Sequence, residues 1–138
     1  MDKIRPYSQA LDRLRNATLR PTRQRLALAK LLFDGDDRHI TAEILHGESL
    51  GSRVRVSLAT VYNTLHQFTE ANLLREIVVD SGRSYFDTNT SQHHHFFNED
   101  TRMLEDIPDS QVALSEVPPA PQGTEVSSID VIVRVKNT

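Results

Sequence analysis

The chain has 138 residues, with 16 Lys and Arg against 19 Asp and Glu, a formal charge of −3. That length holds one ordinary domain or two very small ones. With 38% apolar residues and a mean hydropathy of −0.44, a buried core is possible if an oligomer interface supplements it.

The longest apolar runs, such as Val131-Ile132-Val133, fall far short of the ~20 residues of a membrane span. No charged-then-apolar leader opens the sequence, so secretion is not expected. With no cysteine, disulfides, thiolate zinc sites and Cys nucleophiles are excluded. The expectation is a cytoplasmic protein with no membrane partner. Its charge is unevenly placed: residues 1–33 hold eight bases (Lys3, Arg5, Arg13, Arg15, Arg20, Arg23, Arg25, Lys30) against two acids, and residues 91–138 hold three bases against eight acids. A basic N-terminal third fits a polyanion-facing surface, or simply a solvated helix face.

In chain order, Tyr7, Ala10, Leu11 and Leu14 recur at helical spacing until Leu19-Arg20-Pro21-Thr22 breaks the pattern. A second helix is expected over 22–33, ended by Asp34-Gly35-Asp36-Asp37. Thr41 is an N-cap for a third helix over 42–50, closed by Gly51. A β-like piece over 53–56 leads to Ser57, the N-cap of a fourth helix over 58–70. The period then changes: strands over 74–79 and 84–87 flank the turn Asp80-Ser81-Gly82-Arg83. Helices followed by a hairpin give the layout of a winged helix-turn-helix. Beyond a polar hinge at 88–91, strands are expected over 94–97 and 102–107, a helical stretch over 109–117, a break at Pro118-Pro119-Ala120-Pro121 and a last strand over 129–136. So little structure buries little surface alone, and pairing with a second copy is expected. The fold class is α+β: a winged helix-turn-helix domain over residues 1–88, then a small α/β dimerisation domain over 89–138.

Leu58, Val61, Leu65 and Phe68 share one quadrant of the fourth helix, its core face. The opposite face carries Ala59, Thr60, Asn63 and Gln67, with Tyr62 and His66 on the flank. Short and hydrogen-bonding side chains suit entry into a major groove, although an ordinary exposed amphipathic helix carries the same types. The basic first third and the Gly82-Arg83 hairpin tip, able to graze phosphates, favour the groove reading. His93-His94-His95 is the second cluster, with Asp87 before it and Asp106 after it. On a strand His93 and His95 share a face and His94 points away. Imidazoles and carboxylates without thiolate suit Fe²⁺, Mn²⁺ or Zn²⁺, and haem is the other ligand such a run can take. No Ser-His-Asp or phosphate-loop pattern is present, so an enzyme is not expected.

Leu19-Arg20-Pro21-Thr22-Arg23-Gln24-Arg25, His39-Ile40-Thr41-Ala42-Glu43, Ser57-Leu58-Ala59-Thr60-Val61-Tyr62-Asn63-Thr64-Leu65, Tyr85-Phe86-Asp87 and His93-His94-His95 stand in this order. Over residues 15–107 the pattern resembles the ferric uptake regulator (Fur) family of bacterial dimeric repressors. Many members carry Cys-x-x-Cys pairs for a structural zinc soon after the histidines. Here that stretch reads Phe96-Phe97-Asn98-Glu99-Asp100-Thr101, so no Cys₄ zinc site exists, and Phe97 stands where another ligand His often does. The Cys-free triple-His pattern is most similar to the iron response regulator (Irr) branch, which senses haem. That likeness implies repression of haem-synthesis and iron-storage genes, relieved by haem at His93, His94 and His95.

The resemblance also implies a regulatory metal site joining the two domains, carried over as His39, Asp87, His93, His95 and Asp106. It implies operator DNA bound by a homodimer through Arg20, Arg23, Ser57, Thr60, Tyr62, Asn63 and Arg83. The cofactor is then haem, a divalent ion (Fe, Mn or Zn), or both. The alternatives are a Fur-type sensor of bare ions, a haem or metal carrier that binds no DNA, and, least favoured, a metallohydrolase.

Overall fold

The computed structural model describes residues 8–80 and 82–138, so Lys3, Arg5, Tyr7 and the turn residue Ser81 lie outside the described residues. The chain divides into two compact units, Met1–Thr90 and Ser91–Thr138.

In the first unit four helices follow in order: α1 Ser8–Asn16, α2 Arg23–Phe33, α3 Ala42–Gly51 and α4 Leu58–Glu70. Three begin at hydroxyl caps. Thr22, Thr41 and Ser57 each accept a hydrogen bond from the backbone N–H three residues on, satisfying one of the orphan donors of a first turn. Leu14, Leu28, Leu32, Leu45, Val61 and Phe68 close over one another as a core, with the Phe33 and Phe68 rings 6.1 Å apart. Thr64 joins the expected core face of α4, while Leu58 is only partly buried.

α1, α3 and α4 end alike. Leu19 N–H bonds Leu14 O and Thr18 N–H bonds Arg15 O; Val54 bonds Ser49 and Arg53 bonds Leu50; Leu73 bonds Phe68 and Asn72 bonds Thr69. These are Schellman closures, which place their penultimate residue in the left-handed region. Glycine usually occupies that position. Here Thr18, Arg53 and Asn72 do, at φ 57°, 60° and 62°, each at a cost of ~1–2 kcal/mol, least for Asn. The expected stop at Gly51 is therefore corrected: Gly51 is the last helical residue and Arg53 makes the turn. The expected β-like piece 53–56 is also corrected, because no strand forms there. Its alternation arises because an extended loop lays Val56 into the core while Arg53 and Arg55 face solvent.

A three-stranded sheet completes this unit: β1 His39–Ile40, β2 Arg75–Asp80 and β3 Arg83–Asp87, in the order β1-β3-β2 and antiparallel throughout. β1 has two residues and offers no period to read, which is why the sequence pattern passed over it. Its pairing sets His39 opposite Asp87.

The second unit is a sheet of β4 His93–Asn98, β5 Leu104–Pro108 and β6 Ile132–Val135. β4 is central, antiparallel to β5 and parallel to β6. The helical stretch expected over 109–117 is corrected to a single 3₁₀ turn, Asp109–Gln111. Leu114 and Val117 are exposed, and a lone short helix with nothing to pack on is marginal in water. No helix of the described residues is long and apolar enough to cross a membrane.

Candidate metal centre and nucleic-acid face

Ser57 is committed to the start of α4: its Oγ accepts from the Thr60 N–H at 3.1 Å and donates to Thr60 Oγ1 at 3.0 Å. The helix then exposes Ala59, Tyr62, Asn63, His66 and Gln67 on one side. Tyr62 is in use as well. Its hydroxyl donates to Glu43 Oε1 on α3 at 2.6 Å, and its ring stacks on His66 at 6.5 Å, which meets Phe86 edge-on at 5.7 Å. The tyrosine hydrogen bond holds the Glu43 carboxyl below the usual carboxylate range, helped by the charge of Arg83. The same bond, together with partial desolvation, pushes the Tyr62 phenol up.

Arg25 belongs to the basic run and to the motif over residues 19–25, but the sequence assigned it no contact. Its guanidinium donates to Gln67 Oε1 at 3.0 and 3.3 Å and to the Arg20 carbonyl at 3.0 Å. It thereby fixes the start of α2 against α4. Between them runs a groove of ≈ 420 Å³ whose walls include Arg20, Thr22, Thr60, Asn63 and Gln67. Arg20, Arg23 and Asn63 are exposed there or beside it, and Arg83 is exposed next to the hairpin turn at Gly82.

The first unit also presents a donor pair. His39 Nε2 lies 3.2 Å from Asp87 Oδ2, and the Asp87 side chain is 1% exposed. Its other oxygen accepts from the Asn89 N–H at 2.9 Å. A carboxylate taken so far from water is costly unless a cationic or hydrogen-bonding group meets it.

In the second unit, strand alternation separates the three histidines. All three are buried. His93 Nε2 and His95 Nε2 approach the same oxygen, Asp106 Oδ1, at 3.2 and 3.3 Å, and their rings lie 4.5 Å apart. The register explains this, since His95 pairs directly with Asp106 across β4 and β5. His94 faces the other side, with Nε2 3.2 Å from Asp109 Oδ1.

The tautomers differ in the same way. His93 Nδ1 sits 2.6 Å from the Ser91 carbonyl; a carbonyl only accepts, so Nδ1 donates, and Nε2 meets Asp106 either as an N–H of the imidazolium or as the lone pair of a neutral ring. A lone pair facing a carboxylate oxygen is repulsive unless a cation lies between them. A backbone carbonyl behind the ring is the usual support of a metal-ligating histidine. His94 is the reverse: Nδ1 accepts from the Val131 N–H at 3.1 Å, so Nε2 bears the proton and donates to Asp109. His93 and His95 turn Nε2 toward one carboxylate oxygen, and His94 pins the chain beside β6.

A model of the ferric uptake regulator family matches residues 16–133. The chain is 35% identical over 81 residues to the ferric uptake regulation protein of Bordetella parapertussis, covering 59% of this chain and 58% of that protein. It is 37% identical over 82 residues to that of Shigella flexneri, covering 59% and 55%. The matched segments thus span little more than half the length of these curated relatives. The structure of the Pseudomonas aeruginosa ferric uptake regulator with manganese superposes with a TM-score of 0.71 at 25% identity, over 93% of this chain and 97% of that one. That of the Vibrio cholerae protein gives 0.71 at 23% identity, over 91% and 98%, a likeness of fold. With the family pattern running through most of its length, the chain belongs to the ferric uptake regulator family.

Proposed function

We propose that the protein is a metal-responsive transcription regulator, mainly a repressor and not an enzyme, that binds operator DNA in the cytoplasm as a homodimer. In this reading α4 enters the major groove, and Arg20, Arg23 and Arg83 meet the phosphates. The domains are 1–88 for DNA binding and 89–138 for dimerisation and sensing. The effector is one divalent ion, and the ligand set the family resemblance implies for it is His39, Asp87, His93, His95 and Asp106. The observation that carries the reading is the pair of histidine nitrogens aimed at one oxygen of Asp106.

Two imidazoles and a carboxylate within 4.8 Å of one another fit an ion with ligand distances of ~2.0–2.2 Å. The all-N/O set suits Fe²⁺, Mn²⁺ or Zn²⁺, and the P. aeruginosa relative was solved with manganese. A bound ion would supply a fixed point around which its imidazole and carboxylate donors are held. The residues do the rest: Ser91 orients His93, the β4–β5 register aims His95, and Asn89 orients Asp87. Fixing these strands sets the separation of the two α4 helices in the dimer, and so which operators fit.

Haem sensing by the Irr branch rests on the Cys-free triple-His pattern. An axial bond from His94 Nε2 would displace Asp109 and, by moving the proton to Nδ1, Val131 as well, so the bare ion is the favoured effector. The test is fluorescence anisotropy with a duplex selected from random sequence, at fixed salt, using metal-stripped protein titrated with Mn²⁺, Fe²⁺, Zn²⁺ or haem. Affinity should rise at least tenfold with one of the ions, and the His93→Ala/His95→Ala variant should lose that response while His94→Ala keeps it. Affinity indifferent to every ion sinks the metal reading. Release of DNA by haem, with a Soret band lost in the triple variant, installs the haem reading in its place.

A further inference from the structure

Two sets of basic residues in the first unit contrast with each other. Arg25 and Arg38 are used by the fold: Arg25 binds Gln67 and the Arg20 carbonyl, and Arg38 makes a two-pronged contact with Glu48 at 2.6 and 2.9 Å. Arg23, Arg53 and Arg55 are exposed, and among the described residues no acid pairs with them. All three line one groove of ≈ 710 Å³ whose floor is Leu26, Ala27 and Val54. Gln24 borders this groove and also the one running along α4. The two grooves are therefore neighbours across the first turn of α2, and Arg55 stands two residues before the α4 cap.

We infer that Arg23, Arg53 and Arg55 form a backbone clamp, seating phosphates of the same duplex on the flank of the α4 contacts. The inference rests on the DNA-binding reading above and extends it to a site beyond the reading helix. Guanidinium forks match phosphate oxygens two at a time, and the apolar floor suits the deoxyribose between successive phosphates. No base edge is reached, so the clamp adds affinity without sequence preference. Arg53 supports this independently. It holds the left-handed position that closes α3, where glycine relieves strain, yet the position carries a cation.

That conformation makes the test clean, because Arg53→Gly removes the charge while easing the backbone. With Mn²⁺-supplied protein, binding to an operator-type and a random duplex is measured across KCl concentrations for wild type, Arg53→Gly, Arg55→Gln and the double variant. The slope of log affinity against log salt should shrink by about one per arginine. Both duplexes should lose affinity by the same factor, and Arg53→Gly should melt no lower than wild type. An unchanged slope in the double variant, with the wild type binding normally, overturns the clamp alone. A wild type that binds no duplex overturns the DNA reading and the clamp with it. Calorimetric binding of inorganic pyrophosphate that the double variant loses, with DNA affinity intact, assigns the groove to a small free polyanion and overturns the clamp.

Discussion

Tyr62 shows how a side chain on the proposed reading face is committed before any partner arrives. Its hydroxyl proton points to Glu43, so toward a base it offers an acceptor and a ring edge, not a donor. Glu43 titrates below its ordinary value and Tyr62 above its own. The sign follows: the bond stands across the neutral range, weakens as pH falls through the depressed Glu43 value, and weakens again as pH rises through the raised Tyr62 value. In Glu43→Gln the phenol should titrate closer to 10, read as a shift of the 295 nm tyrosine absorbance to lower pH; coincident curves for variant and wild type discard the contact. The sequence placed Tyr62 on the flank of α4 because helical angle fixes direction. It said nothing of Glu43, since a contact between two helices leaves no period in either. His94 was legible for the opposite reason: alternation alone separates it from His93 and His95, whatever the three bind.

At the scale of elements, hydroxyl caps and apolar stripes made all four helices readable. Two stretches misled. Residues 53–56 alternate as a strand does but have no neighbouring edge, and residues 109–117 had helical residues without a core to lie on. Helix endings were the subtler miss, because the usual marker is a glycine and the chain uses Thr18, Arg53 and Asn72 instead. Thr18 is the most strained of the sites free of any proposed role, being β-branched. Thr18→Gly should raise stability by ~1 kcal/mol, and Ser57→Ala should lower it by ~1 kcal/mol through loss of a cap. Paired urea melts measure both, and a destabilised Thr18→Gly refutes the strain account.

For the molecule as a whole, the two units differ in how far they satisfy themselves. The first closes a core of many large side chains. The second buries Phe97, Leu104 and Ile107 and leaves Phe96 38%, Val133 38% and Met103 69% exposed. Phe96 and Val133 are register partners on β4 and β6, so they share one face of the sheet. In the proposed homodimer, a second copy covering that face would supply what a sheet this small lacks. Phe96→Glu should convert a dimer to a monomer in sedimentation equilibrium and reduce operator affinity at least tenfold, while metal content stays at the wild-type level. A dimeric Phe96→Glu protein places the interface elsewhere. The few short elements of this half led to the expectation of pairing with a second copy; the members of the exposed face depend on β6 pairing parallel to β4, which no local pattern encodes.

That parallel pairing sets an order of events in time. β4 and β5 meet through a short turn, whereas β6 returns only after residues 112–131, a long segment without regular structure. Closing such a loop costs more chain entropy than closing a hairpin, and contacts distant in sequence form late. The β4–β5 ribbon, with His93 and His95 already aimed at Asp106, is therefore the early half of this unit. β6 is the late half, and it is also the half with least to hold it in brief excursions of the native state. When it lifts away, the Val131 N–H leaves His94 and the amides of β4 that face it meet water, yet the two nitrogens turned toward Asp106 stay where the hairpin put them. The His93–His95–Asp106 cluster outlasts the strand that completes its sheet.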